Sequence, residues 1–223
     1  MRIALLQDYL RGGGTEAQTL HLARHFARRG HTVLLLTFRP GGALHPGAQG
    51  TDYAIEALQP LDTRLNLFAP RLFSRLLKFQ PEALICMGRV ANGYAGRLQR
   101  RFPRSVVLGT VRTGKPLPRS HRRAFEACRA LVANSQWWVR ELAAMGYDPA
   151  RVHCIYNANT KSLEPAPEAR IHAREYEGLA QETVVLFNAA RMEPGKRQGR
   201  LIEAAAALPR SLDWQLWLAG QGP

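Results

Sequence analysis

Short apolar runs alternate with amphipathic stretches along most of the chain, and this alternation constrains the fold more than any other feature. In the first repeat, the apolar run 3–6 is followed by an amphipathic stretch, 15–29, and by a second apolar run, 33–37. Short apolar runs between helical stretches are typical of buried parallel strands, joined by right-handed crossovers. The pattern predicts an α/β fold, with a Rossmann-like parallel sheet that carries helices on both faces.

The same alternation continues to the end of the chain. Further strands are predicted at 83–86, 105–110, 131–133, 152–156, 184–187 and 215–219, and helices at 70–79, 91–102, 120–129, 136–145 and about 196–208. Residues 39–64, rich in Gly and Pro, are expected to form a loop with one short strand. Thr15 is predicted to cap the first helix in a capping box with Gln18, and Ser135 is predicted to cap the helix at 136–145.

Composition changes after residue 157, where charged residues, Pro165 and Pro167 replace the periodic pattern. We therefore expect a first domain at 1–160, a linker at 161–181 and a second Rossmann-like domain that begins at 182. One β-α-β repeat cannot bury both faces of its sheet. The second domain is accordingly expected to be incomplete within residues 182–223.

Three consecutive glycines, Gly12, Gly13 and Gly14, precede the first helix. Glycine lets a ligand approach the backbone closely, and the free N–H groups of a helix N-terminus favour an anion. From these residues alone, a phosphate-binding loop and a flexible loop are equally well supported.

Gly12, Gly14 and Ala17 also match the spacing of the dinucleotide-binding fingerprint, and Arg39 follows the second strand, where it could meet a 2′-phosphate. In that fingerprint the first glycine stands directly after the strand. Here residues 7–11 intervene, so an NADP-dependent oxidoreductase is the second hypothesis.

A basic loop, Arg191-Met192-Glu193-Pro194-Gly195-Lys196, lies between a predicted strand and a predicted helix. Ligands of open α/β sheets bind at the carboxyl ends of strands. Arg191 and Lys196 could clamp a diphosphate there, because a guanidinium offers a bidentate fork and an ammonium a point charge. Gly220 and Gly222 follow the last strand and form a second Gly-rich turn.

The order of these motifs resembles the group 1 glycosyltransferases of family 4, which have the GT-B fold. The matching segments are the glycine loop with its helix, Gly30-His31-Thr32-Val33, Leu131-Val132-Ala133-Asn134-Ser135, Met145-Gly146-Tyr147 through Pro149-Ala150-Arg151-Val152, Asn157, the loop 191–196, and Leu218-Ala219-Gly220-Gln221-Gly222-Pro223. Each motif is modest, but their common order over nearly the whole chain is specific.

The resemblance implies a retaining transferase that uses a nucleotide-diphosphate sugar, a UDP- or GDP-sugar, with neither metal nor cofactor. It implies that Arg191, Lys196, Gly13 and Gly14 hold the donor diphosphate. The cleft residues that it implies are Gly12, Thr15, Arg112, Lys115, Asn134, Ser135, Gly220 and Gly222. The expected acceptor is a cell-envelope glycan or a lipid-linked sugar.

The sequence departs from the family pattern at several positions. Arg112 stands where the family usually has a histidine, and Ala190 stands where it usually has a glycine before the Arg. Tyr156-Asn157-Ala158 stands in place of Pro-Asn-Gly. The family's Glu-x7-Glu motif is absent from these residues, so the catalytic residues are left unassigned.

The chain has a formal net charge of +14, although only four of its 31 basic residues are lysines. Such a charge attracts polyanions, so a non-enzymatic module that binds a polyanion or a membrane is the third hypothesis. Residues 70–79 alternate basic and apolar side chains, which suits either a helix packed on the sheet or one lying on an anionic membrane. Aromatic residues are not interleaved with the basic runs, so nucleic acid is not an expected partner.

No apolar run has the length of a membrane span, and residues 3–6 are too short for a signal peptide. The expected location is the cytoplasm, with peripheral contact at the inner face of the membrane.

Overall fold

The computed structural model describes residues 1–45, 52–65, 67–114, 116–158 and 168–222. The chain divides into two compact units, Met1–Thr160 and Lys161–Pro223.

The described part of the first unit contains a parallel sheet of seven strands. They are β1 (Arg2–Gln7), β2 (Thr32–Thr37), β3 (Ala54–Ala57), β4 (Ala83–Cys86), β5 (Val106–Val111), β6 (Ala130–Ala133) and β7 (Val152–Cys154). Their order across the sheet is β3-β2-β1-β4-β5-β6-β7. The sheet therefore grows in one direction from β1 to β3 and in the other from β4 to β7, with the reversal between β1 and β4.

Five helices accompany this sheet in the described residues: α1 (Gly14–Arg28), α2 (Leu72–Phe79), α3 (Arg89–Arg101), α4 (Arg119–Glu126) and α5 (Gln136–Ala144). Alternate residues of β1 face opposite sides. Ile3 and Leu5 pack in one cluster with Ala23 of α1, while Ala4 and Leu6 belong to the core that includes residues of α2, α3 and α4. The predicted α/β fold with helices on both faces is confirmed.

The second unit contains two parallel strands in its described residues, β8 (Val184–Ala189) and β9 (Trp214–Ala219), with helices α6 (Ala169–Tyr176) and α7 (Gln198–Ala206). Helix α6 lies within the stretch that was expected to be a linker. Its buried Arg174 donates hydrogen bonds to the carbonyls of Gln181 and Thr183, which attaches the helix to the start of β8. Such a side-chain contact leaves no periodic apolar pattern in the sequence.

The predicted cap of α1 is wrong. The helix begins at Gly14, and its N-cap is Gly13, in an extended conformation without a side-chain hydrogen bond. Gln18 instead bonds the backbone of Ala158, donating to its carbonyl at 2.5 Å and accepting from its N–H at 3.1 Å. The capping box fails because a partner from the end of the first unit takes up the Gln18 side chain. The cap of α5 is confirmed, since the Ser135 hydroxyl accepts from the Trp138 N–H.

Helix α2 uses its apolar face in the core. Leu72 and Leu76 are completely buried, and Arg75 forms an ion pair with Glu56 at 2.5 Å. The amphipathic pattern of residues 70–79 is thus explained by packing on the sheet, and contact of this helix with a membrane has no support. None of the helices in the described residues is long and apolar enough to cross a membrane.

Asp8, directly after β1, caps the N-terminus of α3. Its carboxylate accepts the N–H groups of Val90 and Ala91, each at 3.0 Å. Gly88 makes this contact possible, because a Cβ at that position would stand 2.0 Å from an Asp8 oxygen. Burial raises the pKa of Asp8 above its ordinary value, and the backbone N–H groups and Arg11 only partly offset that effect.

Arg151 performs the complementary task at the C-terminus of α4. Its guanidinium donates to the carbonyl of Glu126 at 3.1 Å and to that of Cys128. Carbonyls at a helix C-terminus carry partial negative charge and lack partners in the helix, so a cation there is favourable. Because Arg151 immediately precedes β7, the contact also links α4 to the edge of the sheet.

We expect Asp8→Asn to remove a pH dependence of stability. Since the folded pKa of Asp8 is raised, the folded state holds the proton more tightly, and the wild type loses stability as pH rises through that pKa. The amide cannot ionise, so the stability of the wild type relative to the variant should fall as pH rises above about 4, the unperturbed pKa of a carboxyl group. Urea unfolding at a series of pH values measures this difference.

Asp62→Asn is the matched control, because Asp62 contributes a pH dependence of stability with the opposite sign. Hydrogen bonding to Arg39 lowers the pKa of Asp62 to about 2, so its contribution is present at neutral pH and is lost as pH falls from about 4 toward 2. Parallel curves for the wild type and Asp8→Asn would contradict the role assigned to burial of Asp8.

We expect Arg151→Ala to lower the free energy of unfolding by about 1–3 kcal/mol, because the carbonyls of Glu126 and of the partly buried Cys128 lose a charged donor. Arg104→Ala, at an exposed loop position, should change it by less than about 0.5 kcal/mol. Chemical denaturation compares the two. Equal effects of the two substitutions would show that the α4 carbonyls do not depend on Arg151.

Candidate functional site

A polar cavity of about 260 Å³ lies in the first unit, where β1, β4 and β5 end. This position is the point at which the strand order reverses, and open α/β sheets bind ligands outside the carboxyl ends of their strands at such points. The polar side chains that line it are Gln7, Asp8, Tyr9, Arg11, Thr15, Glu16, Arg89, Asn92, Thr110, Arg112, Thr113 and His121.

The floor of the cavity is held by buried hydrogen bonds. The Asn92 amide donates to the Thr110 carbonyl at 2.7 Å and accepts the Thr110 N–H at 3.0 Å, which fastens α3 to β5. The Thr110 hydroxyl donates to the carbonyl of Cys86 on β4 at 2.8 Å. The Thr19 hydroxyl donates to Gln7 at 3.0 Å and so ties α1 to β1. Because these groups satisfy one another, the cavity wall is rigid before any ligand binds.

His121, on α4, was missed by the sequence analysis although its side chain is buried at this cavity. Burial lowers its pKa, and the positive charge of Arg89 lowers it further, so the ring is neutral at pH 7. Asp8 was also missed as a site residue. The sequence did contain a signal for Asp8, since a carboxylate directly after a buried strand lies at the ligand-binding edge of the sheet. The position of His121, in contrast, depends on how α4 packs.

The glycine loop leaves its backbone accessible. A Cβ at Gly12 or Gly14 would meet no atom within 4 Å, so packing does not require either glycine. Thr15, in the first turn of α1, lines the cavity. The carboxylate of Glu16 lies over Gly13, with an oxygen 2.4 Å from where a Cβ would be. An anion approaching these N–H groups would therefore compete with Glu16.

Arg112, at the end of β5, brings together residues that follow three adjacent strands. Its Nη1 donates to the Asn157 side chain at 2.6 Å, and the Asn134 side chain donates to its carbonyl at 3.4 Å. Its Nε is buried and has no hydrogen-bond partner among the described residues. Burial lowers the pKa of Arg112. Ser135 serves as the cap of α5, and Lys115 lies outside the described residues.

The basic loop of the second unit follows β8. Arg191 is 70% exposed and forms an ion pair with Glu193 at 3.0 Å. Lys196, also exposed, ends a 3₁₀ turn (Pro194–Lys196), two residues before α7 begins. The predicted helix start at Lys196 is thus shifted to Gln198, whose side chain donates to the Arg191 carbonyl at 2.8 Å. Both cations are available at the carboxyl end of β8.

Gly220 and Gly222 support this loop from the end of β9. Gly220 has φ +154°, and a Cβ there would stand 1.9 Å from the Ala190 carbonyl oxygen. A Cβ at Gly222 would stand 2.9 Å from the Met192 carbonyl oxygen. The Met192 N–H donates to the Gln221 carbonyl at 2.8 Å, so the two loops pair through their backbones. In the structure these glycines serve close packing, and their expected contact with a ligand stays a prediction.

The site residues proposed from sequence thus form two groups. Gly12, Gly13, Gly14, Thr15, Arg112, Asn134 and Ser135 belong to the first unit, and Arg191, Lys196, Gly220 and Gly222 belong to the second. Within the described parts of the chain, no group of three or more His, Cys, Asp or Glu side chains could hold a metal ion.

Solved structures share this fold. HepE from Anabaena in complex with UDP superimposes with a TM-score of 0.77 at 20% identity, covering 100% of this chain and 62% of HepE. A glycosyltransferase from Rickettsia africae gives 0.69 at 15% identity, covering 98% and 68%. WaaG, a glycosyltransferase involved in lipopolysaccharide biosynthesis, gives 0.65 at 17% identity, covering 100% and 64%. The chain thus spans about three-fifths of the length of HepE.

A search of curated protein sequences finds no match to this chain. The family model of Glycosyltransferase Family 4, in contrast, matches residues 12–158. That range begins at the glycine loop and includes β2 to β7, together with the cavity residues from Thr15 to His121, whereas β1 and residues 7–11 precede it. The protein therefore belongs to Glycosyltransferase Family 4.

Proposed function

We infer that the protein, as a whole, transfers a sugar from a nucleotide-diphosphate sugar to an acceptor. The observation that carries this inference is the family match over residues 12–158. The fold shared with HepE, whose structures contain UDP or UDP-glucose, supports it.

The loop after β8 suits the leaving group of this reaction. When the bond between the sugar and the diphosphate breaks, negative charge develops on the diphosphate. Two exposed cations, Arg191 and Lys196, lie at the carboxyl end of β8, where they can stabilise that charge. The Arg191 ion pair with Glu193 is exposed and therefore weak, so a diphosphate can displace it.

The finer features of the reaction rest on the family resemblance. We propose retention of configuration, a UDP- or GDP-sugar as donor, catalysis without a metal, and a glycan or lipid-linked acceptor. A cytoplasmic location is part of the same proposal.

The alternative of an NADP-dependent oxidoreductase has less support. Arg39, the candidate for a 2′-phosphate, is bound by Asp62 through two hydrogen bonds of 2.7 Å and lies over the Tyr9 ring. A polyanion-binding module is supported only by the charge of +14.

We expect this chain to bind UDP or GDP in calorimetric titrations and not to bind NADPH. Lys196→Ala should weaken nucleotide binding about 10- to 100-fold, because a hydrogen bond to a charged group contributes roughly 1.5–3 kcal/mol. Arg191→Ala should act in the same direction. In full-length protein, Lys196→Ala should reduce donor use by about a hundred-fold.

Arg210→Ala is the control, since Arg210 is an exposed arginine of the second unit that precedes β9, at the opposite end of the strand. Equal affinity of the Lys196→Ala and Arg210→Ala variants for the nucleotide would refute the clamp. Binding of NADPH in place of UDP or GDP would instead support the oxidoreductase.

A further inference from the structure

Two carboxylates line the cavity of the first unit, and both are already engaged by helix N-termini. Asp8 accepts two N–H groups of α3, and the Glu16 carboxylate lies over the start of α1 at Gly13. Each therefore balances the positive end of a helix. Neither forms an ion pair with an arginine in the described parts of the chain.

Three arginines, Arg11, Arg89 and Arg112, are among the residues that line the same cavity. None of them has a carboxylate within 4.0 Å among the described residues. The electrostatic effects of Arg11 on Asp8 and of Arg89 on His121 indicate that both cations lie near the cavity wall. The lining of the cavity thus holds three arginines and two carboxylates, a formal excess of one positive charge among the described residues.

The environment of Arg112 is the strongest indication that this cavity takes an anion. It is largely buried, its terminal nitrogen bonds a neutral amide, and its Nε–H has no acceptor among the described residues. A buried cation without a counter-ion is unfavourable, and so is a buried donor without an acceptor. An anion bound beside Arg112 would supply the missing counter-charge, and guanidinium groups match phosphate and carboxylate geometry well.

We propose that this cavity binds an anionic group of the acceptor, a phosphate or a carboxylate carried on a sugar, through the guanidinium groups of Arg112 and Arg89. This assignment rests on the transferase function inferred above. The cavity volume of about 260 Å³ is just below the roughly 300–1,000 Å³ of typical ligand sites, so it suits one small group. The donor, in addition, has its own cationic loop in the second unit.

The test is an NMR titration of the chain, which follows the arginine Nε–H signals. The probes are glucose 6-phosphate, glucuronate, glucose and UDP. We expect one or both of the anionic sugars to shift the Arg112 and Arg89 signals, and glucose to leave them unchanged. The comparison of glucose 6-phosphate with glucuronate distinguishes a phosphate site from a carboxylate site.

Arg112→Gln and Arg89→Gln should each weaken binding of the anionic sugar by about tenfold or more, since each removes a charged hydrogen bond. Arg100→Gln is the matched control, because Arg100 is an exposed arginine on α3 that does not line the cavity. Arg89 is exposed, so its variant provides the test if loss of the Arg112 contact with Asn157 unfolds the protein. UDP affinity should be unchanged in all three variants.

The proposal is overturned if neither anionic sugar shifts these signals, or if binding is equal in the two variants and the control. It is also overturned if UDP displaces the anionic sugar and the Arg112→Gln variant binds UDP more weakly. The cavity would then hold the donor diphosphate, and the inferred transferase function would be unaffected. Binding of the anionic sugar without any binding of UDP would contradict the donor site instead, and would leave the anion site intact.

Discussion

The reversal of strand order between β1 and β4 is the constraint on which the site depends. Helices that connect strands on either side of this point must diverge, so a crevice opens at the carboxyl ends of β1 and β4. Residues that follow three strands meet there: Asp8 after β1, Gly88 and Arg89 after β4, and Arg112 after β5, while Thr15 and His121 reach the cavity from α1 and α4. The apolar runs of the sequence form the sheet, and the polar residues that follow each run form the site.

Several charged side chains at or near the site lie at helix termini, where they interact with the partial charges of the helix ends. Asp8 lies at the start of α3 and Glu16 at the start of α1, so both carboxylates balance helix dipoles rather than arginines. Arg151 performs the reverse task at the end of α4, where it meets carbonyl oxygens. With the acidic groups engaged in this way, the arginines of the cavity are left for an external anion.

Each unit carries a different candidate binding feature. The first unit holds a rigid polar cavity whose walls are joined by the bonds between Asn92 and Thr110. The second unit presents Arg191 and Lys196 on a loop that pairs with the backbone after β9, an arrangement that Gly220 permits. Each unit thus offers an edge of parallel strands, the place at which open α/β sheets bind their ligands.

Local sequence patterns predicted the elements of the fold well, because short apolar runs and amphipathic periods depend on neighbouring residues. The departures came from side-chain contacts that apolar periodicity does not reveal. Gln18 bonds the backbone of Ala158 instead of forming the predicted capping box. Arg174 anchors a helix in a stretch that has no periodic pattern.

The α/β fold, the glycine loop at the start of α1 and the cationic loop after β8 could all be predicted from the sequence, since each depends on patterns among neighbouring residues. Only the tertiary structure decided that Asp8, Arg89, Arg112 and His121 share one cavity, and which of their charges are already engaged. The physical reason is that burial and pairing depend on strand order and on helix packing, and these bring together side chains more than a hundred positions apart.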